Sequence, residues 1–283
     1  MLIFSDAHLH VNPVKGLGAF NIAKKFKKEG GWFMAIVSLP PYHYGLTEIG
    51  AESYKKIIQL LNKEAEIIKN ENIKVVKLAG IHPAEIDEYY KQGLRGEKLF
   101  RILENVLKLL ESALKSNIID GIGEVGRQHY GTSPERLVFS EVIMIKAMEL
   151  ARDYDSLLHL HLEQGGFITT YSIKILVEKI GVKFSRTILH HVNYDTASWS
   201  ERIGMPFTIP IKHFDEKYAS INWSHGMIES DYIDDLQRPG VSAYPWDIPR
   251  IINNYVRSNI VEEEKAYKIL VDNVVKFYRI RPP

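Results

Sequence analysis

Short apolar runs that read as strands alternate with amphipathic stretches that read as helices from one end of the chain to the other. Residues 2–5, 32–39, 75–81, 118–123, 157–162 and 187–189 have the length and the β-branched content of buried strands. Between them, residues 17–28, 52–70, 97–115 and 170–180 carry a helical period; in the second, Ile57, Ile58, Leu60, Leu61, Ala65, Ile67 and Ile68 make the apolar stripe. Ser133-Pro134-Glu135 opens a further helix, with Ser as N-cap and Pro at the first helical position. Residues 196–226 show no clean helical period and hold a short strand at 207–211. A strand at 227–230 follows, and helices near 248–258 and 261–277 close the chain.

This alternation runs through 283 residues with no Pro/Gly/Ser-rich linker, so the chain reads as one domain, 1–283. An α/β fold with eight parallel strands, a (β/α)8 TIM barrel, is predicted, with a doubly wound open sheet as the alternative. In a barrel of this kind the chemistry gathers at the C-terminal ends of the strands.

Composition narrows the classes. The formal net charge is +1, so no global electrostatic footprint points to nucleic acid or to an anionic membrane. There is no cysteine, which excludes thiolate ligands, disulfides and a cysteine nucleophile, and leaves any metal to His and carboxylates. The first residues lack the basic and apolar regions of a signal peptide, and no run is long enough to span a membrane. A cytoplasmic protein is expected.

Candidate ligands fall where the barrel would put them. Asp6-Ala7-His8-Leu9-His10 sets two imidazoles two residues apart at the end of a first strand, where side chains at i and i+2 share a face and can bind one divalent ion. Glu124 in Gly123-Glu124-Val125-Gly126, His159 and His161, the neighbours His190 and His191, and Glu229-Ser230-Asp231 each end a later apolar segment. His159 and His161 share a face. Neighbours on a strand face opposite ways, so only one of His190 and His191 is expected to enter the barrel; taking Ile188-Leu189 as the strand body favours His191, and a strand starting at Thr187 favours His190.

The ordered blocks DxHxH, GxHP, GEVGR, HxH, HH and ESDYIDD, spread over nearly the whole chain, resemble the TatD-related metal-dependent hydrolases of the amidohydrolase superfamily, in particular their archaeal branch. The resemblance implies a site for one or two divalent ions, held by His8, His10, Glu124 as a bridging carboxylate, a fifth-strand and a sixth-strand His, and Asp231. The family pattern favours His161 as the fifth-strand ligand, with His159 lining or supporting the site. Zinc is the expected metal, with Mn, Mg, Fe, Co and Ni as alternatives. The chain departs from the pattern at Ser230, where Thr is usual, and at Gln128, where Pro is usual. Neither position is a ligand.

Such a site activates a water at neutral pH for attack on an ester, phosphoester or amide, with Asp231 as the proton acceptor. Arg127, His129, His82 and Arg238 are the candidates for gripping substrate, and two guanidiniums at the mouth would favour phosphate or carboxylate groups. The partner expected is a small-molecule or phosphoester substrate. A metal-dependent DNA exonuclease is the narrower alternative, and a catalytically idle metal-binding scaffold is the alternative of a different class.

Overall fold

The computed structural model describes residues 2–283. Eight parallel strands run in chain order around one sheet: β1 (Phe4–Leu9), β2 (Gly31–Val37), β3 (Lys74–Ala79), β4 (Gly121–Gly126), β5 (Leu157–His161), β6 (Thr187–Leu189), β7 (Phe207–Pro210) and β8 (Gly226–Glu229). The last strand returns to the first. There the amide of Asp231 donates to the carbonyl of His8 at 3.1 Å and that of His10 to Tyr232 at 2.7 Å, so the sheet closes into a (β/α)8 barrel.

Every residue of β1, β2, β4, β5, β6, β7 and β8 is buried, as expected of strands covered by helices on one face and packed into a barrel on the other. Around them lie α1 (Gly18–Lys28), α2 (Ala51–Asn70), α3 (Pro83–Lys91), α4 (Gly96–Lys115), α5 (Pro134–Asp153), α6 (Phe167–Ile180), α7 (Tyr194–Ile203) and α8 (Asp247–Arg257). In α1 the apolar stripe is Ala19, Ile22, Ala23 and Phe26, the spacing of one helical face. No helix among the described residues is long and apolar enough to cross a membrane.

Five details differ from the sequence reading. The first strand extends to Leu9, so His8 lies within it rather than past its end. Helix α3 begins at the His82-Pro83 turn, where the His82 Nδ1 accepts from the amide of Ala84 at 3.0 Å and Pro83 occupies the first turn. Helix α7 is short and rich in Ser and Thr, which blurs its period; the Asn193 side chain caps its start by accepting from the Thr196 amide at 2.9 Å, and Gly204 ends it in the left-handed region. Ser133 stands at the N-cap of α5, but its side chain makes no capping bond. The closing segment is one helical run broken by a π turn, α9 (Glu263–Tyr267), Lys268–Asp272 and α10 (Asn273–Tyr278).

Between α2 and α3 a buried carboxyl joins the helices. Glu85 accepts from the hydroxyls of Tyr54 at 2.6 Å and Tyr89 at 2.7 Å, and burial pushes its pKa up to about 7 against those two bonds. The folded protein therefore keeps a proton on Glu85 between roughly pH 4.5 and 7, where the unfolded chain has released it, so this group's contribution to stability is full below that window and is lost as pH rises through it. A Glu85→Gln variant has no such proton to lose. Its melting temperature relative to the parent is expected to rise from pH 5 to pH 8, by the equivalent of up to about 3 kcal/mol. Because Asp6 and Asp231 are shifted in the same direction, the difference between the two proteins is the quantity to measure; a difference that does not change with pH would refute the assignment.

Candidate active site

The C-terminal ends of the strands open into a cavity of about 930 Å³. At its floor the hydrogen bonds around each imidazole fix which nitrogen carries the proton. His10 gives its Nδ1 proton to the Val37 carbonyl at 2.9 Å, which leaves the Nε2 lone pair facing Glu124 Oε1 at 3.0 Å. His8 is set by a longer relay. Tyr278 donates its hydroxyl proton to the Ala7 carbonyl at 2.5 Å, so the His159 Nε2, 3.3 Å away, must donate to Tyr278; the His159 Nδ1 then accepts from the His8 Nδ1 at 2.9 Å. The His8 Nε2 lone pair is thereby aimed at Glu124 Oε1, at 3.3 Å.

Glu124 lies at the centre. Its Oε1 faces His8 and His10, while its Oε2 faces His161 Nδ1 and His190 Nε2 at 2.8 Å each and His82 Nε2 at 3.4 Å. Glycines make this placement possible. A Cβ on Gly126, at φ +153°, would stand 1.8 Å from the His161 carbonyl oxygen, which accepts the Arg127 amide at 2.8 Å, and one on Gly80 would stand 2.5 Å from the Glu124 carbonyl oxygen. Burial alone would raise the pKa of Glu124, but in the absence of an ion the charges of His190 and His82, and then the bonds that His10 and His161 give when protonated on the nitrogen facing it, outweigh burial and hold the carboxyl well below its usual range. Burial likewise opposes a charge on His190, and the adjacent Glu124 overrides it, so the His190 pKa lies well above normal. Burial, then the neighbouring His190, depresses His8 strongly.

The β8 end frames the opposite wall. Asp231, at φ +51°, lines the cavity with its Oδ1 3.9 Å from His10 Nε2, and burial followed by the charge of Glu229 raises its pKa to about 7. The motif around it serves mainly to hold it. Asp6 accepts from the Ser230 amide at 2.9 Å, and Asp234 accepts from the amides of Asn12, Leu17 and Gly18 at 2.7, 2.6 and 3.1 Å, tying this loop to the one after β1. Neither role was read from the sequence, although both residues lie inside blocks that were singled out.

His190 and His191 do not face opposite ways as expected. β6 ends at Leu189 and His191 takes the left-handed conformation, φ +47°, so alternation has stopped and both rings reach the cavity. His191 Nε2 stands 3.1 Å from His161 Nδ1, and the Glu229 side chain accepts its backbone amide at 2.7 Å. Among the substrate candidates, His82, His129 and Arg238 line the cavity. Two do not. Arg127 turns toward α5 and α6, paired with Glu163 through Nε at 2.9 Å and Nη2 at 2.7 Å and with Glu141 at 3.2 Å, because two carboxylates and the Ser172 hydroxyl meet it there. His159 is fully buried beneath His8 and orients that ring instead of lining the cavity.

These side chains fit a divalent metal. Two imidazole lone pairs directed at one carboxylate oxygen repel unless a cation lies between them, and donors around an ion bonded at about 2.0–2.2 Å stand roughly 3 Å apart, as these do. His8, His10 and Asp231 form one group that could hold an ion, and His82, Glu124 and His161 form another.

The comparisons with known proteins agree. The sequence pattern of the family described as TatD related DNase matches residues 5–279. The chain belongs to that family. TatD-family proteins are divalent-metal-dependent hydrolases, and this TatD-family chain is an enzyme of that class. It is 30% identical over 275 residues to the uncharacterized protein MJ1127 of Methanocaldococcus jannaschii, covering 97% of this chain and 95% of that one. Its fold is shared with the TatD-like protein of Archaeoglobus fulgidus (TM-score 0.67, 18% identity, covering 98% of this chain and 100% of that one). It is shared too with the phosphotriesterase homology protein of Escherichia coli, solved with phosphate in its active site (TM-score 0.62, 13% identity, 97% and 98%).

Proposed function

We propose that this enzyme hydrolyses a phosphoester, using one or two divalent ions, zinc foremost, held by His8, His10, Glu124, His161, His190 and Asp231. The observation that carries the proposal is Glu124, whose two oxygens face separate sets of imidazoles, the arrangement of a carboxylate shared between two ions. Imidazole-rich donors with few carboxylates favour zinc over harder ions. When bound, the metal supplies Lewis acidity and a water made nucleophilic at neutral pH.

The remaining steps belong to the chain. Asp231 takes the proton of the attacking water; as the new P–O bond forms and the bond to the leaving oxygen breaks, it passes that proton to the leaving group. Of the group His82, Glu124 and His161, the last two are the ligands: His82 accepts the Ala84 amide on Nδ1, so its Nε2 carries a proton and serves as a donor. At the mouth, Arg238 presents positive charge to an anionic substrate, while Lys217 is paired with Asp215 at 3.3 Å; Lys212 donates to the carbonyls of Gly240 and Val241 at 2.6 and 3.0 Å, anchoring the loop that carries Arg238. The family description favours a nucleic acid as the phosphoester. The balanced overall charge supplies no global attraction for one.

Elemental analysis of protein purified without chelators is expected to find one to two equivalents of divalent transition metal, and the loaded protein is expected to cleave bis(p-nitrophenyl) phosphate faster than p-nitrophenyl acetate. Less than about 0.2 equivalent, with none regained on dialysis against zinc or manganese, would count against the site. Preference for the carboxylic ester would count against the substrate class.

A further inference from the structure

The pair His190-His191 gives the cavity two imidazoles from one strand end, and their surroundings give them opposite chemistry. Gln164, on the loop after β5, is locked in one orientation by two backbone groups. The Asn193 amide donates to its Oε1 at 2.7 Å, and its Nε2 donates to the Leu162 carbonyl at 3.2 Å. The remaining Nε2 proton points at His191 Nδ1, also at 3.2 Å. A nitrogen that accepts a hydrogen bond carries no proton, so the proton of neutral His191 sits on Nε2, the atom directed at His161 Nδ1 at 3.1 Å. His190 is arranged the other way: its Nδ1 faces Glu229 Oε1 at 3.8 Å and its Nε2 faces Glu124. At that distance the Glu229 carboxylate makes no hydrogen bond, but its charge favours the proton of neutral His190 on Nδ1 and leaves Nε2 toward Glu124.

We infer that His191 is a hydrogen-bond donor to an oxygen of the substrate, held in that tautomer by Gln164, and not a metal ligand. The inference rests on the hydrolase reading above. His161 Nδ1 also stands 2.8 Å from Glu124 Oε2, so without metal it carries a proton given to that carboxylate and cannot accept the His191 N–H. With a proton or a cation on that nitrogen, the His191 N–H faces the cavity with no acceptor, and a phosphoryl oxygen supplies one. His129, His161 and His191 also stand close enough to one another to be taken for a separate metal site. The Gln164 bond speaks against that use of His191, because it occupies Nδ1 and leaves Nε2 protonated.

Two measurements decide it. In metal-free protein labelled with 15N-histidine, the ring-nitrogen resonances of His191 are expected to report the Nε2-protonated tautomer, moving to Nδ1-protonated in Gln164→Glu, where an acceptor replaces the donor. In zinc-loaded protein, His191→Ala is expected to keep the parent's metal content while its affinity for inorganic phosphate, read by calorimetry, falls roughly tenfold or more. His191→Gln, which retains an N–H donor and guards against a folding defect in the alanine variant, is expected to fall between the two. An Nδ1-protonated His191 in the parent, the loss of a metal equivalent in His191→Ala, or unchanged phosphate affinity would each overturn the inference. Failure of the parent itself to bind zinc would instead overturn the hydrolase reading, and the tautomer measured without metal would still report whether His191 is a donor.

Discussion

Replacing Glu124 with Gln is expected to weaken divalent-metal affinity at least tenfold, whereas His129→Ala is expected to leave it near that of the parent. The two residues are only five positions apart in sequence, yet their surroundings differ. Glu124 is buried, and each of its oxygens meets imidazoles from different strands. An amide there carries no charge and turns one of its two acceptors into a donor, so one set of ligands loses its partner and faces an N–H instead. Losing even an outer partner of a metal site costs 10- to 100-fold in affinity, and Glu124 is more central than that. His129, in contrast, is exposed, with its ring stacked on that of His161 at 4.7 Å between centroids, where it can touch substrate. Dialysis of both variants against a limiting zinc buffer, followed by elemental analysis, checks the prediction. Equal metal content in the two would remove Glu124 from the ligand set.

The barrel, and the gathering of histidines and carboxylates at its strand ends, were legible because both depend on local pattern. Strands buried on both faces read as apolar runs, and the chemistry of a barrel sits at the ends of those runs. Where local pattern stopped, the reading failed in specific ways. Strict alternation was assumed for His190 and His191, but β6 is three residues long and the turn after it sends both rings into the cavity. Arg127 was a candidate for gripping substrate because it follows Glu124, whereas Glu141 and Glu163, from other parts of the chain, draw it outward as an ion-pair partner. The relay from Tyr278 through His159 to His8 joins residues 119 and 151 positions apart, so no spacing in the chain announces it.

That relay also shows how a chain with so many histidines around one carboxylate would separate the proposed ligands from the proposed donors. His8 and His10 each have an Nδ1 proton committed elsewhere, to His159 and to the Val37 carbonyl, and so offer a lone pair to the centre. His82 and His191 have Nδ1 occupied by a donor and so offer a proton. Residue type was readable in the sequence; the tautomer that turns type into role depends on backbone amides and carbonyls placed by the fold.

Asp231→Asn is expected to lower turnover of a phosphodiester by roughly two to four orders of magnitude while leaving metal content nearly unchanged. The geometry separates the two effects. Asp231 Oδ1 is 3.9 Å from the nearest imidazole nitrogen recorded for it, whereas Glu124 lies within 3.4 Å of five, so retention of metal rests mainly on the imidazoles and Glu124. Asp231 also faces the cavity from the end of β8, about a third exposed, where an incoming water passes it. Asparagine keeps the shape and one oxygen, and because the αL conformation at φ +51° suits Asn, the loop should hold its course. What disappears is a carboxylate that can accept a proton from water and return it to the leaving oxygen. Single-turnover rates alongside metal analysis of the same preparations test this directly: a variant that keeps more than about a tenth of the parent rate lacks the loss that removal of a general base produces, and one that loses its metal altogether would make Asp231 a ligand first.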